Sequence, residues 1–350
     1  MENALARSLL AALAQPALLV GADQRVSAAN AAARQLLGDA VEARHFALSL
    51  RQPQAIAAIE GALMSGSTAQ ARLTHVGADV DVTFHLTVTP ISGDGTSGVL
   101  CLFDDVSDAE QIGQMRREFV ANVSHELRTP LTALLGFIET LQGAARDDAA
   151  ARDRFLQIMA REAGRMNRLV SDLLALSQVE AAERLRPADN VDLMGIVQST
   201  VATLRPLADQ AASTIEVEGV PAPALVPGDG DQLVQVFQNL IENAVKYGGG
   251  KVMVTIARGT EPALGGPVII VSVCDEGEGI DPIHLPRLTE RFYRVDSHRS
   301  REQGGTGLGL AIVKHIINRH RGRLRIHSAL GKGSTFTVIL PESQGISARA

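Results

Sequence analysis

Phe119-Val-Ala-Asn-Val-Ser-His-Glu-Leu-Arg-Thr-Pro-Leu131 is the stretch whose reading decides how the rest of the chain is organised. Apolar residues recur at Phe119, Val123, Leu127, Leu131, Leu134, Ile138 and Leu141. Steps of three and four predict a helix with one face to be buried. His125 stands two residues from both Val123 and Leu127, about 200° of helix rotation away from that face. Its imidazole is therefore expected to point to solvent, with Thr129 one turn along on the same side. Pro130 cannot donate a backbone bond to Glu126, so a bend is expected just after the histidine. A lone outward histidine is ordinarily only a solvated side chain. An exposed imidazole beside the Glu126 carboxylate can, however, act as a nucleophile whose proton the carboxylate accepts.

Composition narrows the class. The chain has 350 residues, room for two or three domains, and is 45% hydrophobic and 21% charged, as expected of a globular protein. A net charge of −6 and only 3% aromatic residues, none of them tryptophan, argue against a nucleic-acid-binding surface. Cys101 and Cys274 lie in apolar strand-like runs without CxxC spacing and are expected as buried, reduced thiols. The apolar run from Ser8 to Gly21 is interrupted by Gln15 and Pro16. It falls short of the ~20 apolar residues that a spanning helix needs. The expectation is a cytoplasmic chain without a transmembrane segment, associated with a membrane only through partners or through segments upstream of Met1.

Outward from the central stretch, the helix is expected over 108–142, a loop at 143–148, and a second helix through Phe155, Met159, Met166, Leu169, Leu173 and Leu176. The apolar stripe of such a hairpin is too broad to hide within itself, and pairing with a second copy would bury it in a four-helix bundle. Before the hairpin, a short amphipathic helix covers 1–15, strands are expected at Ala17–Val20 and Arg25–Ser27, and a helix at Ala28–Gly38. Three alternating strands follow at 69–76, 80–89 and 98–104, suited to an antiparallel sheet. After the hairpin, helices are expected at 192–211, 231–247, 285–293 and 308–320. Strands are expected at 214–218, 251–257, 268–275, 323–328 and 334–340. This alternation suggests a sheet with helices packed on one side.

The segment Ser124-His-Glu-Leu-Arg-Thr-Pro-Leu131 resembles the H-box of sensor histidine kinases at every position. The wider run from Phe119 is most like the branch that includes the phosphate-regulon sensor kinases. The resemblance covers about 110–342 and implies that His125 is the residue phosphorylated by ATP. Glu126-x-x-Thr129 is similar to the phosphatase motif of this class, and a hydroxyl one turn from the histidine can orient a water. The first hundred residues are similar to a PAS domain, with Asn30 opening its first core helix and an acidic exit at Asp104-Asp105. The implied fold is a multidomain α/β chain. It comprises a PAS-like α+β domain at 1–107 and a dimeric antiparallel four-helix bundle built from the hairpin 108–184. An α/β-sandwich ATP-binding domain of the GHKL (Bergerat) type follows at 185–342, with a tail at 343–350.

Four further motifs carry the nucleotide chemistry. On the helix 231–247, Asn239, Asn243 and Lys246 recur at four and three on a face of their own. Amide oxygens suit Mg²⁺, and lysine suits phosphate. Asn239-Leu-Ile-Glu-Asn-Ala-Val-Lys-Tyr247 resembles the N-box, which makes Asn243 the metal ligand, Asn239 its neighbour, and Lys246 and Tyr247 nucleotide contacts. Asp275-Glu-Gly-Glu-Gly-Ile280 ends a strand and looks like the G1 box, with Asp275 reading the adenine amine and Gly277, Gly279 and Ile280 beside it. Glu290-Arg-Phe-Tyr-Arg294 resembles the F-box, with Phe292 flanking a lid expected at 297–303. Gly304-Gly-Thr-Gly-Leu-Gly-Leu310 matches the G2 box. Its Gly305, Thr306, Gly307, Leu308 and Gly309 would present N–H groups to phosphate at a helix N-terminus. No box is degenerate, which opposes a silent pseudokinase.

The partners implied by the resemblance are a second copy and the receiver domain of a response regulator, a DNA-binding regulator of the phosphate-response type. Two rival classes meet opposition from the same residues. A hydrolytic ATPase of the superfamily, such as a chaperone or a mismatch-repair-like clamp, places a glutamate base where this chain has Asn239, and an amide cannot activate water. A pure interaction scaffold would have no use for intact Asp275, Asn243 and G2 glycines.

Overall fold

Alternating apolar residues at Leu86, Val88, Val99, Cys101 and Phe103 bury one face of a sheet, and the first part of the chain is built around it. The computed structural model describes residues 2–76, 81–93, 96–182, 185–219, 223–295 and 305–343. They gather into two compact units, Met1–Ala121 and Asn122–Ala350. In the first, α1 (Glu2–Ala12) precedes β1 (Ala17–Gly21), β2 (Val26–Ala29), α2 (Ala31–Leu37) and α3 (Pro53–Ser65). β3 (Ala69–Val76), β4 (Asp81–Gly93) and β5 (Thr96–Asp105) complete an antiparallel sheet of order β2-β1-β5-β4-β3. Asn30 is buried and fully used. Its Oδ1 accepts the Ala33 and Ala17 N–H groups at 2.9 and 3.1 Å, and its Nδ2 donates to the carbonyls of Leu13 and Gln15. The helix expected from Ala28 therefore starts at Ala31, because Ala28 and Ala29 pair with Leu19 and Leu18 of β1. α3, unforeseen from sequence, buries Ala55, Ala58, Ile59 and Ala62. Cys101 is buried, and burial pushes its thiol up to about 12; Cys274 is only half-buried.

The second unit begins within α4 (Ser107–Gln142), which runs continuously through Pro130. α5 (Ala149–Ala182) returns alongside, with the rings of Phe137 and Phe155 5.3 Å apart and Leu169, Leu176 and Val179 buried. The stripe expected to be buried on α4 is not covered within one chain: Leu131 and Ile138 are exposed, as is Leu135.

The rest of this unit consists of β6 (Asn190–Asp192), α6 (Leu193–Gln210), β7 (Thr214–Glu218), β8 (Leu225–Pro227), α7 (Gly230–Tyr247), β9 (Lys251–Glu261) and β10 (Gly266–Asp275), followed by α8 (Gly309–Arg319), β11 (Arg323–Ser328) and β12 (Ser334–Pro341). The sheet order is β11-β12-β10-β9-β7, antiparallel except for the parallel pair β7 and β9. α7 packs on β9 and β10 and touches α6 and α8, while α5 packs against α8. Leu233, Val236, Phe237, Leu240 and Ile241 of α7 are fully buried. At about 1.5–3 kcal/mol each, they hold the helix firmly whatever stands on its other face. That frees the polar face for chemistry.

The helix expected at 285–293 does not form. A 3₁₀ segment spans Pro282–Arg287, capped by Asp281, and the chain then turns. The cause is long-range: the Phe292 N–H donates to the Gly307 carbonyl at 2.8 Å rather than to a helical neighbour, and Phe292 sits at φ 64°. The lid segment 297–303, Gly304 and residues 344–350 of the tail lie outside the described residues. Among the described residues, no helix is long and apolar enough to cross a membrane.

Candidate active site

A cavity of about 370 Å³ lies where α7, the end of β10 and the start of α8 converge. Asn239, Asn243, Lys246, Tyr247, Asp275, Gly279, Ile280, Gly305, Thr306, Gly307 and Gly309 all line it. Motifs spread over some seventy positions of sequence thus meet at one surface. Ser334 and Phe336 of β12 extend the lining.

Each wall has a local cause. Asp229 caps α7, its Oδ1 accepting the Gln232 N–H at 3.2 Å, and the helix then carries its polar stripe along the cavity. Lys246 is paired with Glu242 at 2.7 Å, one turn back. The Asn239 amide donates to the Gln235 carbonyl. Asn239 also meets Gly309 so closely that a Cβ there would lie 2.7 Å from its Oδ1. The G2 loop is shaped at Gly307, whose φ of 74° and contact with Phe292 leave no place for a side chain.

Asp275 closes the opposite end. Its Oδ1 accepts the N–H groups of Gly277 and Ser334 at 3.0 and 3.1 Å, which leaves Oδ2 for a ligand. Burial pushes its pKa above the usual carboxylate value, and the two N–H groups oppose that shift. Gly277 faces a neighbouring open cleft with Lys246 and Tyr247 rather than this cavity. Ile280 is fixed by its N–H bond to Ser328 Oγ at 2.8 Å. Phe292 and Leu308 do not line the cavity: Phe292 anchors Gly307 through its backbone, and Leu308 is buried below the loop.

The histidine stands apart. His125 is exposed on α4 and does not line the cavity. Thr129 is exposed too, and its hydroxyl donates to the His125 carbonyl at 3.1 Å. Glu126 does not engage the imidazole. Its carboxylate receives Arg165 of α5 at 2.6 Å and Arg294 at 3.1 Å. Further contacts join the hairpin to the nucleotide-box domain. Arg291 pairs with Glu180, Arg319 donates to the carbonyls of Ala182 and Leu185, and Thr306 bonds Asp172.

Sequence reasoning passed over Arg165, Asp172 and Arg294. Asp172 was detectable, since it stands three residues after Leu169 and four before Leu176, on the buried face where a carboxylate needs a reason. Arg294 and Glu126 are separated by 168 positions and leave no local signal.

An α/β sandwich whose cavity joins an asparagine stripe, a strand-end aspartate and a glycine loop defines a nucleotide-handling domain, carried here beside a histidine-bearing hairpin. Residues 228–344 match the family of histidine kinase-, DNA gyrase B- and HSP90-like ATPases. Residues 115–182 match the His Kinase A (phospho-acceptor) domain, and residues 10–111 match a PAS fold. The chain belongs to the sensor histidine kinases.

It is 47% identical over 268 residues to the phosphate regulon sensor protein PhoR of Pseudomonas aeruginosa, an alignment covering 75% of this chain and 57% of that one. It is 37% identical over 288 residues to the sensor-like histidine kinase SenX3 of Mycolicibacterium smegmatis, covering 77% of this chain and 73% of SenX3. The chain thus spans little more than half the length of PhoR. A crystal structure of histidine kinase ThkA in complex with response regulator protein TrrA shares the fold, with a TM-score of 0.52 at 20% identity over 96% of this chain and 98% of that one.

Proposed function

We propose that this chain transfers the γ-phosphoryl group of ATP to His125 and passes it on to an aspartate in the receiver domain of a response regulator. The observation that carries the reading is the convergence of the N-box, G1 and G2 residues on one cavity, in the same unit as an exposed histidine flanked by a carboxylate. Asp275 would take the adenine amine on Oδ2. The loop Gly305–Gly309 and the N-terminus of α8 would take the phosphates, with Lys246 and Tyr247 beside them. In the transfer, an imidazole nitrogen forms the N–P bond, the bond from the γ-phosphorus to the bridging oxygen breaks, and ADP leaves. Glu126 receives the imidazole proton, so its bonds to Arg165 and Arg294 must open first.

Mg²⁺ fits this reading. The Asn243 amide lines the cavity and has no hydrogen-bond partner among the described residues. No cluster of three or more His, Cys, Asp or Glu among those residues could hold an ion, so a cation on Asn243 would draw its other ligands from polyphosphate and water. Bound there, it would offset phosphate charge.

The exposed apolar line on α4 and α5 supports a homodimer through a four-helix bundle. Likeness to PhoR supports a phosphate-response, DNA-binding regulator as partner, and ATP dependence supports a cytoplasmic site of action. Thr129 would hold the attacking water when the regulator is dephosphorylated, after its hydroxyl turns away from the His125 carbonyl.

Incubation with γ-labelled ATP tests the central step. Label should enter the protein in an acid-labile, base-stable bond, and His125→Gln should bind nucleotide yet take up none. Label on His125→Gln at the wild-type level, or release of free phosphate alone, would refute the assignment.

A further inference from the structure

Asp172 stands in the nucleotide cavity without belonging to the domain that forms it. It comes from α5, and its position between Leu169 and Leu176 on the buried face turns its carboxylate toward the G2 loop. Thr306 Oγ1 donates to Asp172 Oδ2 at 2.6 Å and accepts the Leu308 N–H at 3.3 Å. One hydroxyl thus ties the carboxylate to the start of α8, where the loop and the helix end favour an anion.

The placement is costly to the carboxylate. Burial raises its pKa, the nearby Glu242 carboxylate adds to the rise, and Thr306, Arg168 and Lys246 oppose it. A second group points the same way. Arg294 lines the same cavity and its side chain is only 7% exposed, and its Nη groups are drawn to Glu126 on α4 while its buried Nε has no hydrogen-bond partner among the described residues. The hairpin therefore occupies a hydroxyl and a guanidinium of the cavity with two carboxylates of its own. Among the described residues it leaves one buried donor unmet, which an additional anion could satisfy.

We propose that Asp172 is an internal competitor for the polyphosphate: it holds Thr306 in this docked arrangement, so this arrangement of the ATP-binding domain on the hairpin and binding of a di- or triphosphate exclude one another, and transfer to His125 uses a different one. This rests on the nucleotide reading above. A phosphate chain reaching Gly305–Gly309 brings negative charge against a carboxylate already short of solvent, and the two cannot share one hydroxyl proton. Binding of the polyphosphate would release the hairpin, and with it Glu126 from Arg294. The same event that fills the pocket thereby removes one of the two guanidinium groups from the carboxylate beside His125, leaving Arg165 on it.

The test uses the full chain and displacement of a fluorescent ADP analogue by ADP, by a non-hydrolysable ATP analogue and by adenosine. Removing the competitor raises the fraction of molecules open to polyphosphate, and apparent affinity scales with that fraction. Asp172→Ala should bind ADP and the ATP analogue about tenfold more tightly, with adenosine changed less than about twofold. Asp172→Asn keeps the size of the side chain and should show a smaller gain in the same order, which guards against a folding defect in the alanine variant. An unchanged ratio of ADP to adenosine affinity in both variants, or weaker ADP binding, overturns the proposal and leaves the nucleotide site standing. Failure of every nucleotide to bind wild type and variants alike overturns both.

Discussion

The α7 helix of the ATP-binding domain hides its apolar face within one chain, and the hairpin does not hide its own. Along α7, Leu233, Val236, Phe237, Leu240 and Ile241 are all fully buried. Along α4, Leu131 and Leu135 remain 48% and 53% exposed, and Leu174 of α5 remains 60% exposed. Both helices carry apolar stripes of helical period, so the difference lies in what is present to cover them. One chain completes the cavity, with Asp172 of α5 among its lining, whereas the hairpin presents its histidine on a scaffold whose apolar line one chain leaves uncovered. Binding should therefore be a property of one chain and assembly a property of the hairpin, and each can be damaged without the other.

The largest expected effect comes from charging the unfinished face. Leu131, Leu135 and Ile138 follow one another at four and three on that face. In the proposed dimer, Leu135→Glu would place a carboxylate from each copy in an apolar seam, at a cost of several kcal/mol per unpaired charge. Light scattering should find the molecular mass halved at micromolar concentration, with ADP affinity within about twofold of wild type. A dimer that survives this change would locate the interface elsewhere.

Asp275→Asn attacks the other side of the comparison. If the substituted amide keeps its oxygen toward the Gly277 and Ser334 N–H groups, its NH₂ replaces Oδ2 and faces the adenine amine, donor against donor. An unpaired buried donor costs about 1–3 kcal/mol, so nucleotide affinity should fall by about 10- to 100-fold in calorimetric titration while the mass stays that of the wild type. Unchanged affinity would move the adenine end away from Asp275.

How much of this was legible in the sequence follows the same division. The polar stripe of α7, the strand-end Asp275 and the glycine loop are local patterns, and their meeting in one cavity is what the resemblance of their motifs implied rather than anything their spacing showed. What was missed depends on partners far along the chain. Residues 285–293 carry helical spacing but yield to the bond from the Phe292 N–H to Gly307. α3 was passed over because its buried face is mostly alanine, which gives little contrast of hydrophobicity. The outward face of His125 follows from angle alone, whereas the capture of Glu126 by Arg165 and Arg294 has no counterpart in local spacing.

The smallest effect separates the two regions by pH. His320 is fully buried at the end of α8, where its Nε2 accepts the Asp229 N–H at 3.0 Å. Its Nδ1 must then carry the proton and donate to the Ile316 carbonyl at 2.7 Å. Burial lowers its pKa, and protonation would set an N–H against the Asp229 N–H. With the folded pKa depressed below the ordinary value of 6.5, the neutral ring's contribution is fully present above pH 6.5. It is lost as pH falls below that value, because the unfolded chain binds the proton first. The loss is at most about 1.4 kcal/mol per pH unit, which corresponds to roughly 2–4 °C in Tm for each kcal/mol in a domain of this size. Asp229 also caps α7 and pairs with Arg319, so the loosened contact joins the two helices that line the cavity. The hairpin has no counterpart, since its only histidine is the exposed His125. Calorimetry between pH 7.5 and pH 5.5, values chosen to bracket the ordinary histidine pKa of about 6.5, should therefore lower the transition that ADP stabilises more than the other. His320→Gln, whose amide oxygen can accept the Asp229 N–H without titrating, should flatten that dependence. Equal slopes for wild type and variant would remove His320 from the account.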